Sequence, residues 1–302
     1  MAKPGTVLIP GRAYQDEAFR VGLRRLFLLW SRQRGKSYEL SRQSFNRMMK
    51  FPGRLVTFIS ASMTLGTELL RKEAEQWQAM LEKMRSAAGR HGLRLTSSGD
   101  GLDFDAVCDL FEHSKFETRL WHSRSVCSRT RVIAPNPDTA VGWTSDIFGD
   151  EVGRWPNAQD VFEAIEPFMA SHPELIMRLA TTPPPDDRHF TFEAFAPPPG
   201  LEFPVNARGN FYRSPSGIMV HRVDVWDGCA AGVPLYHPDT GEPIPPEQHR
   251  ALAFDKQAWD RNYGLAFLAG GTAAISMASI TRAMEQGRDN CIGINVTETI
   301  AP

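Results

Sequence analysis

Cysteine is scarce. Cys108, Cys127, Cys229 and Cys291 are the only 4 in 302 residues, and no two form a C-x-x-C pair. That pattern suggests a reducing compartment and no zinc site, with buried or partly buried thiols. No apolar run reaches the roughly 20 residues of a membrane span, so no membrane partner is expected. The start of the chain, Met1 to Arg12, lacks the apolar core of a signal peptide. The 8 histidines, His113, His122, His189 and His221 among them, show no metal-ligand spacing. No internal repeat is evident. Net charge is only −1, so bulk charge does not announce a nucleic-acid binder.

Hydrophobic residues make up 42% of the chain and charged ones 23%, which is ordinary for a globular protein with one large or two modest domains. The charge is unevenly spread. Residues 20–54 hold 10 Arg or Lys against one acid, Glu39, while residues 138–166 hold 7 acids against one Arg. The basic block would steer DNA or phosphate, or form a solvated helix face.

Inside the basic block, the apolar run Leu26-Phe27-Leu28-Leu29-Trp30 leads into Ser31-Arg32-Gln33-Arg34-Gly35-Lys36-Ser37-Tyr38. A buried strand ending in a Gly-Lys-Ser turn that opens a helix is the build of a P-loop. Backbone N–H groups of such a turn cradle phosphates, aided by the helix N-terminus. Lys36 would reach the β- and γ-phosphates and Ser37 would ligate Mg²⁺. The full pattern places a glycine where this chain has Trp30.

A second candidate half-site lies at Thr144-Ser145-Asp146-Ile147-Phe148-Gly149-Asp150-Glu151-Val152, a short strand ending in adjacent carboxylates. Asp150 would hold the Mg²⁺ shell opposite Ser37. Glu151 would orient and activate water, since a glutamate is ordinarily ionised at neutral pH. Gln15, just upstream of the P-loop strand, is either a reader of the adenine edge or an ordinary exposed side chain.

The periodicity predicts a helix over 12–24, a helix over 37–50, a strand at Leu55–Ser60 and a helix over 65–91. Strands are predicted at Lys115–Leu120, Val126–Ile133, Leu175–Thr182 and Ile218–Val223, and a helix over 158–170. Asp224 is a candidate N-cap for a helix to Ala231. Residues 183–217 are rich in proline, glycine and aromatics, with rigid connectors expected at 183–185 and 197–199; 233–250 is expected to be a proline-rich connector and 255–287 helix and turn. The β-α-β-α order favours a mainly parallel sheet covered by helices.

Together these segments resemble the ATPase half of the large subunit of a tailed-bacteriophage terminase, the motor that packages viral DNA. The likeness covers about residues 12–290. It is carried by the P-loop, by Val132–Trp143, by Asp150-Glu151, by Thr181-Thr182 and by His221-Arg222-Val223-Asp224 to Gly232. The terminase P-loop often lacks the first glycine, which accommodates Trp30.

The resemblance implies an α/β, RecA-like (ASCE) P-loop NTPase core over 12–232 and a small lid or linker over 233–302. It implies ATP and Mg²⁺ as ligands, with Ser31, Arg32, Gln33, Arg34, Gly35, Lys36, Ser37, Gln15, Thr181 and Thr182 around the nucleotide. Arg32 would stabilise charge on the γ-phosphate. Thr181 and Thr182 would sense its loss, or would merely cap a strand. Implied partners are double-stranded DNA, a portal protein, a small terminase subunit and further copies in a ring, within the bacterial host cytoplasm.

Terminase large subunits also carry a nuclease. Cys291-Ile292-Gly293-Ile294-Asn295-Val296 is similar to its first strand, with Asn295 where an aspartate is expected, so no nuclease activity is expected here. Two other readings remain open at this stage. One is a helicase-like ATPase, for which residues after 232 are too few to form a second core. The other is a non-hydrolytic remnant that binds nucleotide or serves as a scaffold.

Overall fold

A computed structural model describes residues 10–90, 109–140, 144–170 and 172–268, with isolated positions 284 and 287. The strands are β1 (Arg25–Trp30), β2 (Leu55–Ser60), β3 (Phe111–His113), β4 (Glu117–Trp121), β5 (Cys127–Ile133), β6 (Asp146–Asp150), β7 (Met177–Thr181), β8 (Asn210–Arg213) and β9 (Met219–Val223). They form one sheet in the order β3-β4-β5-β2-β6-β7-β1-β9-β8. Strands β5, β2, β6, β7, β1 and β9 run parallel. Antiparallel strands β4 and β3 extend one side and β8 the other.

Helices α1 (Ala13–Arg20), α2 (Lys36–Lys50) and α3 (Met63–Arg90) cover one face. After α4 (Pro137–Ala140), helices α5 (Ala158–Ile165) and α6 (Phe190–Phe195) cover the other. Alternation along β1 explains both cores. Leu26, Leu28 and Trp30 point into the α1–α3 side, and Phe27 and Leu29 into the α5–α6 side. A strand buried on both faces reads as a continuous apolar run, which is why β1 shows no polar alternation. Each fully buried leucine here contributes about 1.5–3 kcal/mol of transfer free energy.

Helix α7 (Val225–Ala230) follows β9, and Asp224 caps it as expected, accepting from the Asp227 backbone while the Asp227 side chain accepts from Asp224 N. Strands β10 (Leu235–Tyr236) and β11 (Pro243–Ile244), then α8 (Pro246–Leu252) and α9 (Lys256–Asn262), complete the described chain. Val225, Leu235 and Trp259 form a small separate core with Trp226 and Tyr263 beside them.

Several expected bounds shift for local reasons. Helix α1 stops at Arg20, where Val21 turns extended. The helix over 158–170 ends at Ile165 and gives way to a 3₁₀ turn, Glu166–Met169, with Pro167 near its start. The stretch over 183–217 contains α6 and β8, and the connector over 233–250 contains the β10–β11 hairpin and α8. Elements of two to seven residues leave too few side chains for a period to register. Cys127 and Cys229 are free thiols. Cys108, Cys291, Val141–Trp143 and the 291–296 segment with Asn295 lie outside the described residues. No described helix is long and apolar enough to cross a membrane.

Candidate nucleotide site

The parallel order brings the ends of β1, β7 and β6 side by side, with β7 between the other two. Loops leaving the carboxyl ends of such strands are where ligands bind in open α/β sheets. Here those loops are Ser31–Gly35 after β1, Glu151–Arg154 after β6 and Thr182 onward after β7.

The Ser31–Gly35 loop is shaped by two left-handed residues, Gln33 (φ 59°) and Gly35 (φ 75°). Gly35 is the N-cap of α2, and a Cβ there would lie 2.8 Å from Gln15 Nε2. The backbone angle therefore favours glycine, and a side chain there would also displace the Gln15 amide. Ser31 N donates to Val223 O (2.8 Å) and Arg32 N to Asn262 O (2.9 Å), so β9 and α9 hold the loop's first turn. Tyr14 Oη donates to Arg34 O (3.0 Å) and Gln15 Nε2 to Gly35 O (3.2 Å), so α1 holds its second half.

Lys36 is buried and donates to Trp30 O at 3.0 Å, with Glu151 Oε1 3.7 Å away. Burial lowers the Lys36 pKa, while Glu151 and then Asp150 work against that shift. Ser37 Oγ donates to Asp150 Oδ2 at 2.7 Å. Asp150 is pushed upward by burial first and by the Glu151 carboxylate second. Its other oxygen, Oδ1, accepts from Glu151 N, and its carbonyl accepts from Trp155 Nε1 (3.0 Å).

The structure thus brings Lys36, Ser37, Asp150 and Glu151 together from a sequence separation of more than 100 residues. Glu151 has a left-handed backbone (φ 51°) and opens the 3₁₀ turn Val152–Arg154. Thr181 Oγ1 accepts from Gly153 N at 2.9 Å and donates to Thr182 O at 2.7 Å. Thr181 therefore pins the turn that carries Glu151.

Other expected site residues are placed differently. Gln15 is buried rather than exposed, its Oε1 accepting from Arg12 N and its Nε2 bonded to Gly35 O. Beside it a cleft of about 490 Å³ is lined by Gly11, Arg12, Gly35 and Tyr38. The Arg34 side chain is buried against Gly228, with its Nη2 3.9 Å from Cys229 Sγ. Arg32 and Gln33 are exposed.

Residues that sequence reasoning missed include Gly149, where a Cβ would meet Leu179 and Trp155 at 2.5–2.9 Å, and Gly153, where one would meet Thr181 Oγ1 at 2.7 Å. The glycine before the acidic pair and the one after it were legible as letters, but their crowding depends on β7. Ser31 Oγ and Ser60 Oγ, beyond the end of β1 and at the end of β2, are buried without a hydrogen-bond partner among the described residues.

No family model matches the sequence, and no curated protein matches it. Solved structures do match. An arginine-to-alanine variant of the large terminase ATPase domain of Thermus phage P74-26 aligns with a TM-score of 0.55 at 17% identity, covering 84% of this chain and 93% of that one. The unsubstituted domain gives 0.54 at 16% identity with the same coverage. The fold is that of a phage large-terminase ATPase domain. A large terminase from a thermophilic bacteriophage also aligns, with a TM-score of 0.49 at 9% identity over 86% of this chain and 54% of that one. In this sheet one strand, β7, separates the strand that leads into Ser31–Gly35 from the strand that ends in Asp150.

Proposed function

We propose that this chain is the ATP-hydrolysing subunit of a terminase-type motor that drives double-stranded DNA into a phage procapsid. The observation that carries this reading is the Lys36–Ser37–Asp150–Glu151 constellation at the ends of adjoining strands. The core would span 12–232 and a lid 233–302, and the working form would be a ring of copies on a portal protein, supplied with DNA by a small terminase subunit in the host cytoplasm.

The donor set fits Mg²⁺. Ser37 Oγ and Asp150 Oδ2 are hard oxygen donors already in register, and burial and the Glu151 carboxylate raise the Asp150 pKa while Lys36 lowers it. Mg²⁺ commonly uses one or two carboxylates plus phosphates and water, so a larger carboxylate cluster is not needed. When bound, the ion would neutralise charge on the β- and γ-phosphate oxygens. Gln15 and Arg12 would line the base end through the neighbouring cleft.

Phosphate oxygens would replace Trp30 O and Glu151 as partners of the Lys36 ammonium. Glu151, released from Lys36, would accept a proton from water as the water oxygen bonds to the γ-phosphorus and the bridge to the β-phosphate breaks. Arg32, exposed at the loop, would reach the same charge. Thr181, bonded to the turn after Glu151, would couple phosphate loss to the chain beyond β7.

The test is Mg²⁺-ATP turnover with and without duplex DNA. Glu151→Gln is expected to lower turnover by about 10²–10⁴ while leaving nucleotide binding measurable. Turnover that survives Glu151→Gln or Lys36→Ala would sink the catalytic assignment.

A further inference from the structure

The nucleotide site uses the carboxyl ends of the parallel strands. Most of the basic block sits at their other end, about 17–20 Å away for a strand of six residues. Phosphates of a bound nucleotide therefore cannot account for it.

Two open clefts lie there. One, of about 420 Å³, is lined by Arg20, Arg24, Arg47, Lys50 and Arg178, with Glu174 as its one carboxylate. The other, of about 440 Å³, is lined by Gly53, Arg119, Arg129 and Cys127. Between them Arg54 and Arg47 stack on the Phe51 ring, 4.5 and 4.2 Å from its centroid.

Some of these cations have structural work. Arg24 donates to Met169, His172 and Leu175 carbonyls. Arg47 and Arg54 hold buried Asp146 and reach Glu174. Others have no such role. Lys50 and Arg129 are exposed and form no ion pair among the described residues. Arg129 stands directly across from Arg119 in the β4–β5 pair; Arg119 is paired with Glu117 and Glu112, which among the described residues leaves the Arg129 charge as the open one.

Arg178 is almost fully buried in the wall of the first cleft. Its Nε donates to Gln43 Oε1 and its Nη1 to the Arg24 and Met177 carbonyls, leaving Nη2 without a hydrogen bond among the described residues. Burial, with Arg47 nearby, lowers its pKa to about 10, although Asp146 opposes the shift. An anion in the cleft would relieve that repulsion.

Scale selects the partner. From β1 to β5 the sheet advances by four strand spacings, about 19 Å. One strand of a duplex carries about five or six phosphates over that length. A single small anion would fill neither both clefts nor the surface between them. We propose that this end of the sheet, from Arg20 across Lys50 to Arg129, binds the phosphodiester backbone of double-stranded DNA. The choice of DNA rests on the motor reading above; the cationic surface does not.

The experiment is fluorescence anisotropy of a labelled duplex of about 30 base pairs with the full chain, across a salt series, with ATP turnover measured in parallel without DNA. Lys50→Glu with Arg129→Glu is expected to weaken binding at least tenfold and to reduce the slope of log affinity against log salt by about 2, near 0.9 per lost phosphate contact. Lys50→Gln with Arg129→Gln should give an intermediate loss. Basal turnover should be unchanged, since neither residue touches the nucleotide site. Unchanged affinity and slope, or no duplex binding by the unsubstituted chain, would overturn the proposal. Normal turnover with unaltered DNA binding would remove this surface alone. Weakened DNA binding in a chain that never hydrolyses ATP would keep the surface and remove the motor.

Discussion

Ser37 donates its hydroxyl hydrogen to Asp150 at 2.7 Å, tying the first turn of α2 to the end of β6. That bond holds two oxygen donors together, yet it leaves a buried carboxylate whose pKa is raised by burial and by Glu151. A buried carboxylate whose pKa is pushed up in this way is a common mark of a site arranged for a ligand.

Asp150→Asn is therefore expected to act in opposite directions on stability and function. Without Mg²⁺, the neutral amide should raise the unfolding free energy by on the order of 1 kcal/mol. ATP turnover should fall to background. Thermal unfolding in EDTA beside a turnover assay checks both. A variant that loses stability while remaining active would contradict the assignment of Asp150.

Thr181→Val keeps the shape of the side chain but removes the oxygen that accepts from Gly153 N. A buried N–H without a partner costs about 1–3 kcal/mol, and here it would loosen the turn that carries Glu151. The expected result is a lower kcat with nucleotide affinity nearly unchanged, and rescue by Thr181→Ser. Gly153→Ala should resemble Thr181→Val, because its Cβ would lie 2.7 Å from Thr181 Oγ1. Equal loss in Thr181→Ser and Thr181→Val would show that the hydroxyl is not the agent.

Glu73, on α3, is buried among hydroxyls. Its oxygens accept from Ser44 (2.5 Å), Thr118 (2.6 Å) and Thr130 (3.1 Å), and no cation faces it among the described residues. Burial raises its pKa from 4.5 to about 7 despite those bonds. Between these values the folded chain holds a proton that the unfolded chain has lost, so this contribution to stability falls as pH rises. The expected slope is about 1.4 kcal/mol per pH unit for the single group. Relative to the unsubstituted protein, Glu73→Gln should gain stability as pH is taken from 4.5 to 7 in denaturant titrations. A difference that stays flat over that window would refute the buried, proton-holding Glu73.

Much of the site was legible because its parts are local. The apolar run of β1, the Gly-Lys-Ser turn and the Asp150-Glu151 pair each announce themselves within a few residues. The mainly parallel sheet followed from the alternation of strands with α2 and α3. What stayed hidden depends on neighbours that the chain brings from afar. Arg34 reads as a phosphate contact, yet its side chain lies against Gly228, where the missing side chain leaves room. Trp30 reads as a lost glycine, yet its carbonyl holds Lys36 and its indole donates to His221 Nδ1 (3.3 Å). Strand β8 was hidden by its four residues in a proline-rich stretch.

The place of β7 between β1 and β6 has a mechanical meaning. From Pro183 the chain passes through Thr182 to Thr181, crosses one hydrogen bond to Gly153, and reaches Glu151 two residues back. The rigid Pro183-Pro184-Pro185 run is therefore expected to act as a handle on Glu151. Tension on that handle would arrive at Glu151 without passing through the Ser31–Gly35 loop, so the two halves of the candidate site would be loaded separately.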